Sequence, residues 1–422
     1  MKSKKNNSKN LYSSSKINSD KIGNNIHVLT EEIPSSETYA LGFFYETGSR
    51  DETPDNAGIA HFIEHCAFRR TRKYSARQIA SKFESIGAYA NAYTTQETTS
   101  FYVRALKDNF LPAFKLLNDI TRNTVFENRD IEKERQIIIE EIKSYEDDPE
   151  ESIFEYGDKL IFGNHPMGAP ILGNIDSLNS INSEILTKYH DDNYKSGNLI
   201  ICYAGPLKHD FVYKKSLSYV DRFSDKSANR VRTMPAVEPA SELIVEKPVS
   251  QSHILLGTRI PGYSFESRFI LPIFNVLFGD GMSSRLYHNL RDRQGIAYSI
   301  YSTLQVHSDC GVFYIYAATD KNKTEKTEKL ILGEIDKFLN KPLRESELQR
   351  AKEQLKSSII MELESMSARM QSLAKSVLMK SDFEDIHDTI KIIDSVNALT
   401  LKETVSKYIS NNLSTVKLIP SS

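Results

Sequence analysis

His61-Phe62-Ile63-Glu64-His65 is the stretch on which the reading of this chain turns. Asp55-Asn56-Ala57-Gly58 can cap a helix, and the pattern predicts one from Ile59 to about Phe68. His61 and His65 are then i and i+4, with their imidazoles on one face about one turn apart. Two imidazoles so placed can share one tetrahedral Zn²⁺. Glu64 is i+3 from His61, close to the same face. There it can stand beside a metal without binding it, and take a proton from a water whose pKa the metal has lowered. Without a third ligand, two histidines and a glutamate are also an ordinary solvated helix face.

That third ligand must be acidic or histidine. Asp130 to Tyr145 is predicted helical, with Pro149 closing it, and carries Glu134, Glu140 and Glu141 around Ile137-Ile138-Ile139. Glu134 and Glu141 are two turns apart and share a face, and Glu140 is rotated by about 100°. Ile138, Ile142 and Tyr145 form an adjacent apolar stripe that can hold the helix on a core. Carboxylates on the buried side of such a helix are costly unless a positive group meets them, and zinc is one. Glu132, Lys133 and Arg135 read as the solvated face.

The order of His, x, x, Glu, His is the inverted zinc-peptidase motif. With Glu134-Arg135-Gln136-Ile137-Ile138-Ile139-Glu140-Glu141 following, it resembles the pitrilysin and mitochondrial-processing-peptidase family, in its short two-domain type. The resemblance implies that His61, His65 and Glu141 ligate one Zn²⁺ per chain and that Glu64 is the general base. The implied activity is that of a zinc metalloendopeptidase: hydrolysis of unfolded or extended peptides by a zinc-activated water. Glu134 falls on the family's second acidic position, implying that it orients a ligand histidine. Gly48-Ser49-Arg50-Asp51-Glu52 matches the family's lead into the helix, and Phe68 and Thr71 fit the segment after it. Cys66-Ala67-Phe68-Arg69-Arg70 departs from the family, which commonly has a methionine and Lys-Gly there. This alters helix packing rather than the ligands, and Cys66 is expected to point away from the metal.

Tyr89 to Arg104 is rich in Thr, Tyr, Phe and Val and reads as strand. Gly87-Ala88-Tyr89-Ala90-Asn91-Ala92-Tyr93-Thr94 resembles the family's edge strand beside the zinc, which implies that Asn91 and Ala92 face substrate. An open edge can take a peptide by β-addition, and small alanines leave room for it. By composition alone the segment reads equally well as a core strand. Further on, Gly281-Met282-Ser283-Ser284-Arg285-Leu286 and the spacing of Arg291 and Tyr298 resemble the family's second signature. That implies an Arg/Tyr pair reaching the zinc from another domain, to hold the substrate backbone and the oxyanion. By spacing alone Arg291 is a helix C-terminal cation and Tyr298 a strand aromatic.

The whole chain sets the frame. Its 422 residues, 39% hydrophobic and 26% charged, fit two or three domains. Lys plus Arg is 54 against 56 Asp plus Glu, so no electrostatic case arises for nucleic acid or an anionic membrane. No apolar run approaches the roughly 20 residues of a membrane span. Cys66, Cys202 and Cys310 are too few for a disulfide framework and fit a reducing compartment. The expected place is the cytoplasm. The mitochondrial matrix is the alternative, since the Lys/Asn/Ser-rich start faintly resembles a transit peptide, though it lacks Arg.

Residues 1–25 read as a disordered tail, 26–222 as the zinc-binding domain, 223–243 as a linker, and 244–422 as a second domain. The second half repeats the first: strand, helices, β-rich stretch, helices. A single long amphipathic helix is predicted through Leu348, Ala351, Leu355, Ile359, Leu363, Met366, Met370, Leu373 and Val377. The expected fold class is α+β: two similar domains, each a mixed or antiparallel sheet with helices packed on it, related by internal duplication. Family members form a clamshell of four such domains, so two are half of one. The expected assembly is a homodimer with shared sites, each pairing the zinc of one protomer with Arg291 and Tyr298 of the other. The competing reading is a non-catalytic or partner-dependent structural subunit of the same fold. Such chains usually lose motif residues, and this one keeps His61, Glu64, His65 and Glu141.

Overall fold

Near-continuous apolar runs such as Thr38–Tyr45 and Cys310–Thr319 make strands buried on both faces, which sit in the middle of sheets covered by helices. The computed structural model describes residues 15–23, 26–194, 199–220, 231–381, 385–410 and 412–421.

The first sheet holds β1 (Lys16–Ile22), β2 (Ile26–Glu32), β3 (Thr38–Tyr45), β4 (Tyr89–Thr94), β5 (Thr99–Leu106) and β6 (Leu199–Gly205). The second holds β7 (Glu242–Lys247), β8 (Ser252–Pro261), β9 (Ala297–Val306), β10 (Cys310–Thr319) and β11 (Ser414–Pro420). Their orders are β1-β2-β6-β3-β5-β4 and β7-β11-β8-β10-β9. Apart from β1 the second repeats the first strand for strand. The parallel pair falls at the same place in each, β2 with β6 and β7 with β11. Two mixed-sheet domains of one topology are what the order of segments in the sequence led us to expect.

Three expectations are corrected. Residues 1–25 are not all tail: Lys16–Ile22 is an edge strand, paired antiparallel with β2 from Lys16↔Glu32 to Ile22↔Ile26. It needs little apolar content because backbone hydrogen bonds hold it and only Ile22 is fully buried; residues 1–14, 24 and 25 lie outside the described residues. Within 223–243, residues 231–241 are irregular, β7 already starts at Glu242, and 223–230 lie outside the described residues. The long helix is two, Glu345–Glu362 and Met366–Leu378, the second capped by Ser365. Its apolar period runs through the break, but the two parts serve different cores. Leu348 and Ala351 bury in the second domain, whereas Met370, Leu373 and Ala374 pack on Ala40, Phe44 and Cys202 of the first sheet.

The converse contact locks the halves together. The helix Pro149–Phe162, from the first half, puts Ile153, Ile161 and Phe162 against Leu255, Tyr314 and Val416 of the second sheet. Gly157 lets the helix approach closely: a Cβ would lie 2.5 Å from Leu255 Cδ2, and that side chain would have to shift to admit it. Tyr314 Oη donates to Asp158 at 2.6 Å and Tyr301 Oη to Glu150 at 2.8 Å across this contact. No described helix is long and apolar enough to cross a membrane.

Candidate metal centre

The motif helix, Ile59–Ala67, starts under control of a partly buried acid. Glu52 accepts from the Gly58 and Ala60 amides at 2.7 and 2.8 Å, satisfying helix-start donors in the turn that leads into His61. Gly58 is left-handed at φ +89° and lies so close to Leu172 that any side chain would strike its carbonyl. Ile59, Phe62, Ile63 and Cys66 bury in the first core. The opposite stripe, His61, Glu64 and His65, is thereby turned toward a cleft. Cys66 points away into the core, as the helical step requires.

The acidic helix, Asn128–Asp147, crosses beside it with Ile131, Ile138 and Ile142 buried. This brings Glu141 to both imidazoles: Oε2 is 3.9 Å from His61 Nε2 and 3.6 Å from His65 Nε2. One donor atom from each of the three residues lies within 4.8 Å of the others. A tetrahedral zinc with bonds of about 2.0–2.1 Å needs donors about 3.3 Å apart, so side-chain adjustments of a few tenths of an ångström to somewhat over one complete the site.

Glu134 is buried and accepts from His65 Nδ1 at 3.1 Å, while its other oxygen pairs with Arg69. An Nδ1–H held this way leaves His65 Nε2 as the lone-pair nitrogen facing Glu141. Burial, then the charge of His65, pushes the His61 ring down to about 3, so it is neutral, the form that coordinates metal. Burial raises Glu64 above its ordinary range, with Glu141 adding to the effect and Thr94 and His65 opposing it. Thr94 Oγ1 donates to Glu64 Oε2 at 2.6 Å. The residues present therefore fit a zinc ion: two imidazoles, one carboxylate, an outer carboxylate fixing a tautomer, and a free acid beside them.

The cleft over this cluster has a volume of about 310 Å³. One wall is β4, which among the described residues is an edge strand paired only with β5, through Ala92, Tyr93 and Thr94. The other is the helix Pro149–Phe162, through Glu151, Phe154, Glu155 and Asp158. Carboxylates recur around the cleft, and no Lys or Arg is among the described residues lining it. Those wall acids and Thr94 are what sequence reading missed. Glu151, Glu155 and Asp158 are spaced i, i+4, i+7, a signal that was there to be read.

Ala92 thus faces the cleft. Asn91 is exposed beside it, and its side chain accepts from the Ala92 amide at 2.9 Å. Glu140 points outward and pairs with Lys143. Arg291 and Tyr298 are not brought to the cluster within one chain. Arg291 is exposed near the end of the short π-helix Tyr287–Asp292, its guanidinium over the Tyr287 ring, and Tyr298 Oη donates to Asp320 at 2.9 Å.

Residues 27–175 match the family described as Insulinase (Peptidase family M16), and 180–355 match the Peptidase M16 inactive domain. A Rickettsia felis protein named as an uncharacterized zinc protease is 33% identical over 94% of this chain and 95% of its own length. This chain belongs to peptidase family M16. A Bacillus subtilis relative, also named as an uncharacterized zinc protease, is 31% identical over 89% of this chain and 91% of its own. A Helicobacter pylori protease superposes with a TM-score of 0.89 at 21% identity, covering 96% of this chain and 100% of its own. A Pseudomonas fluorescens structure titled as a peptidase M16 inactive domain gives 0.91 at 19%, over 96% and 98%. These two show the shared M16 fold. The cluster His61, Glu64, His65, Glu141 lies wholly within the first matched segment, and Arg291 and Tyr298 within the second.

Proposed function

We propose that this M16 chain is a zinc metalloendopeptidase acting on unfolded or extended peptides. The observation that carries the reading is the convergence of His61, His65 and Glu141, with Glu64 beside them, under a cleft walled by an open strand edge. Zinc, when bound there, polarises the scissile carbonyl and lowers the pKa of water. The chain's own groups do the rest. The free edge of β4 takes the peptide backbone in extended form, without regard to side chains. Glu64 accepts the proton of the attacking water and returns it to the departing amine, a task its place beside His61 and His65 on the same helix face allows. Thr94 holds that carboxylate in place, and Glu134 holds His65. Glu151 and Glu155 favour a basic side chain near the scissile bond.

The proposal includes a homodimer. Arg291 and Tyr298 are exposed and stand apart from the cleft, so they reach a cleft only on a second copy, where they would hold the substrate backbone and the oxyanion. The test is metal analysis of the purified protein with cleavage of an unstructured peptide. Stoichiometric zinc, and cleavage blocked by a chelator and restored by zinc, are expected. Zinc without cleavage of any unstructured peptide would leave an inactive, partner-dependent subunit of the same fold.

A further inference from the structure

The segment joining β4 to β5, residues 95–98, follows directly on Thr94, and Gln96 within it faces the cleft. It is held from three separate parts of the chain. From the lead-in, Ser49 N donates to Thr95 O at 3.2 Å and Arg50 N to Gln96 O at 2.8 Å. Gly48 must be glycine, since a Cβ would sit 2.2 Å from Thr95 O. From the connecting segment, Arg232 donates to Glu97 O at 2.8 Å while gripping Asp51 through two hydrogen bonds. From the second domain comes the turn between β9 and β10. Ser308 donates to the buried Glu97 carboxylate twice, through its amide at 2.8 Å and its hydroxyl at 2.6 Å. Asp309 meets both terminal nitrogens of Arg50, at 2.7 and 2.6 Å, and Arg50 reaches Glu97 at 2.6 Å.

A carboxylate buried this deeply is stable only while its donors stay in place. The geometry of residues 95–98 is therefore tied to the second domain, three residues along the chain from the hydroxyl that holds Glu64. We propose that Glu97 is a positioning residue for peptide hydrolysis, and that the Ser308–Asp309 turn of the second domain, by gripping it, sets the Thr94 hydroxyl on Glu64. The second domain then contributes to each cleft from within the same chain, in addition to any contribution from a partner copy. This inference rests on the peptidase reading.

The test uses the full-length, zinc-loaded chain and an unstructured peptide. Glu97→Gln and Ser308→Ala should lower kcat by roughly 10- to 100-fold while zinc affinity stays within about twofold of wild type. Ser308→Thr, which keeps the hydroxyl, should restore the rate. Glu97→Gln combined with Thr94→Val should be no slower than the slower single variant, because both break one chain of contacts. Amide hydrogen exchange across residues 93–99 should quicken about tenfold in Ser308→Ala. Additive losses for Glu97 and Thr94, or unchanged exchange in Ser308→Ala, overturn the proposal. If wild type cleaves nothing, the peptidase reading falls, and exchange still decides whether the second domain holds this turn.

Discussion

Removing the Glu134 carboxylate should weaken zinc binding and, at the same time, make what binding remains more tolerant of acid. Glu134 is 2% exposed and receives His65 Nδ1 at 3.1 Å. A hydrogen bond to a charged group is worth about 1.5–3 kcal/mol, and each 1.4 kcal/mol is tenfold, so Glu134→Ala should cost roughly 10- to 100-fold in affinity. Glu134→Gln can still offer an oxygen to Nδ1–H and should fall near the low end, about tenfold. The loss of the Arg69 pairing adds little, because Arg69 is about a third exposed and water replaces its partner. The acid response has the opposite sign. Zinc needs His65 unprotonated. Burial lowers the pKa of His65, but the Glu134 hydrogen bond and the carboxylates of Glu64 and Glu141 outweigh it and raise the ring above 6.5. Without Glu134 the ring loses its chief raising influence, so the pH at which zinc is lost should move downward. Competition against a colorimetric chelator, repeated from pH 5 to 8, reads both quantities. Affinity within twofold of wild type in Glu134→Ala, with an unmoved acid limb, would refute the assignment of Glu134 as the group that orients His65.

Glu64→Gln should cut turnover by roughly 10²- to 10⁴-fold and keep its zinc, whereas His65→Ala should lose both; metal content and peptide cleavage read them side by side. Mixing Glu64→Gln chains with Tyr298→Phe chains should recover activity, as mixed dimers regain one intact site; no recovery after exchange removes the shared-site arrangement. Burial lifts the Asp158 carboxyl to about 7 from an ordinary 3.8, against the Tyr314 hydrogen bond. The folded chain then keeps a proton that the unfolded chain releases between about pH 4 and 7. The contribution of this group to stability therefore falls as pH rises through that window, by at most about 4 kcal/mol. Urea unfolding should show wild type minus Asp158→Asn smaller at pH 8 than at pH 5, and a constant difference would show that Asp158 keeps no such proton.

Much of the centre was legible because helices impose their own geometry. His61, Glu64 and His65 share a face by spacing alone, and Glu134 and Glu141 share another. Choosing Glu141 over Glu140 as the carboxylate that meets the rings took either a family resemblance or the packed helices. The extra strand Lys16–Ile22 escaped notice because an edge strand held by backbone bonds carries little compositional signal. The break at Leu363–Ser365 escaped because an apolar stripe keeps its period even when its two ends bury in different domains.

The sequence by itself determined the shared face of His61, Glu64 and His65, the α+β character and the doubling of the domain, since each rests on local period and spacing. Only the tertiary structure decided that Glu141 meets both imidazoles, that Thr94 meets Glu64, that Ser308 reaches across to Glu97, and that Asp309 reaches Arg50. Those contacts join residues 30 to 259 positions apart. They depend on how helices and sheets cross, which no local pattern encodes.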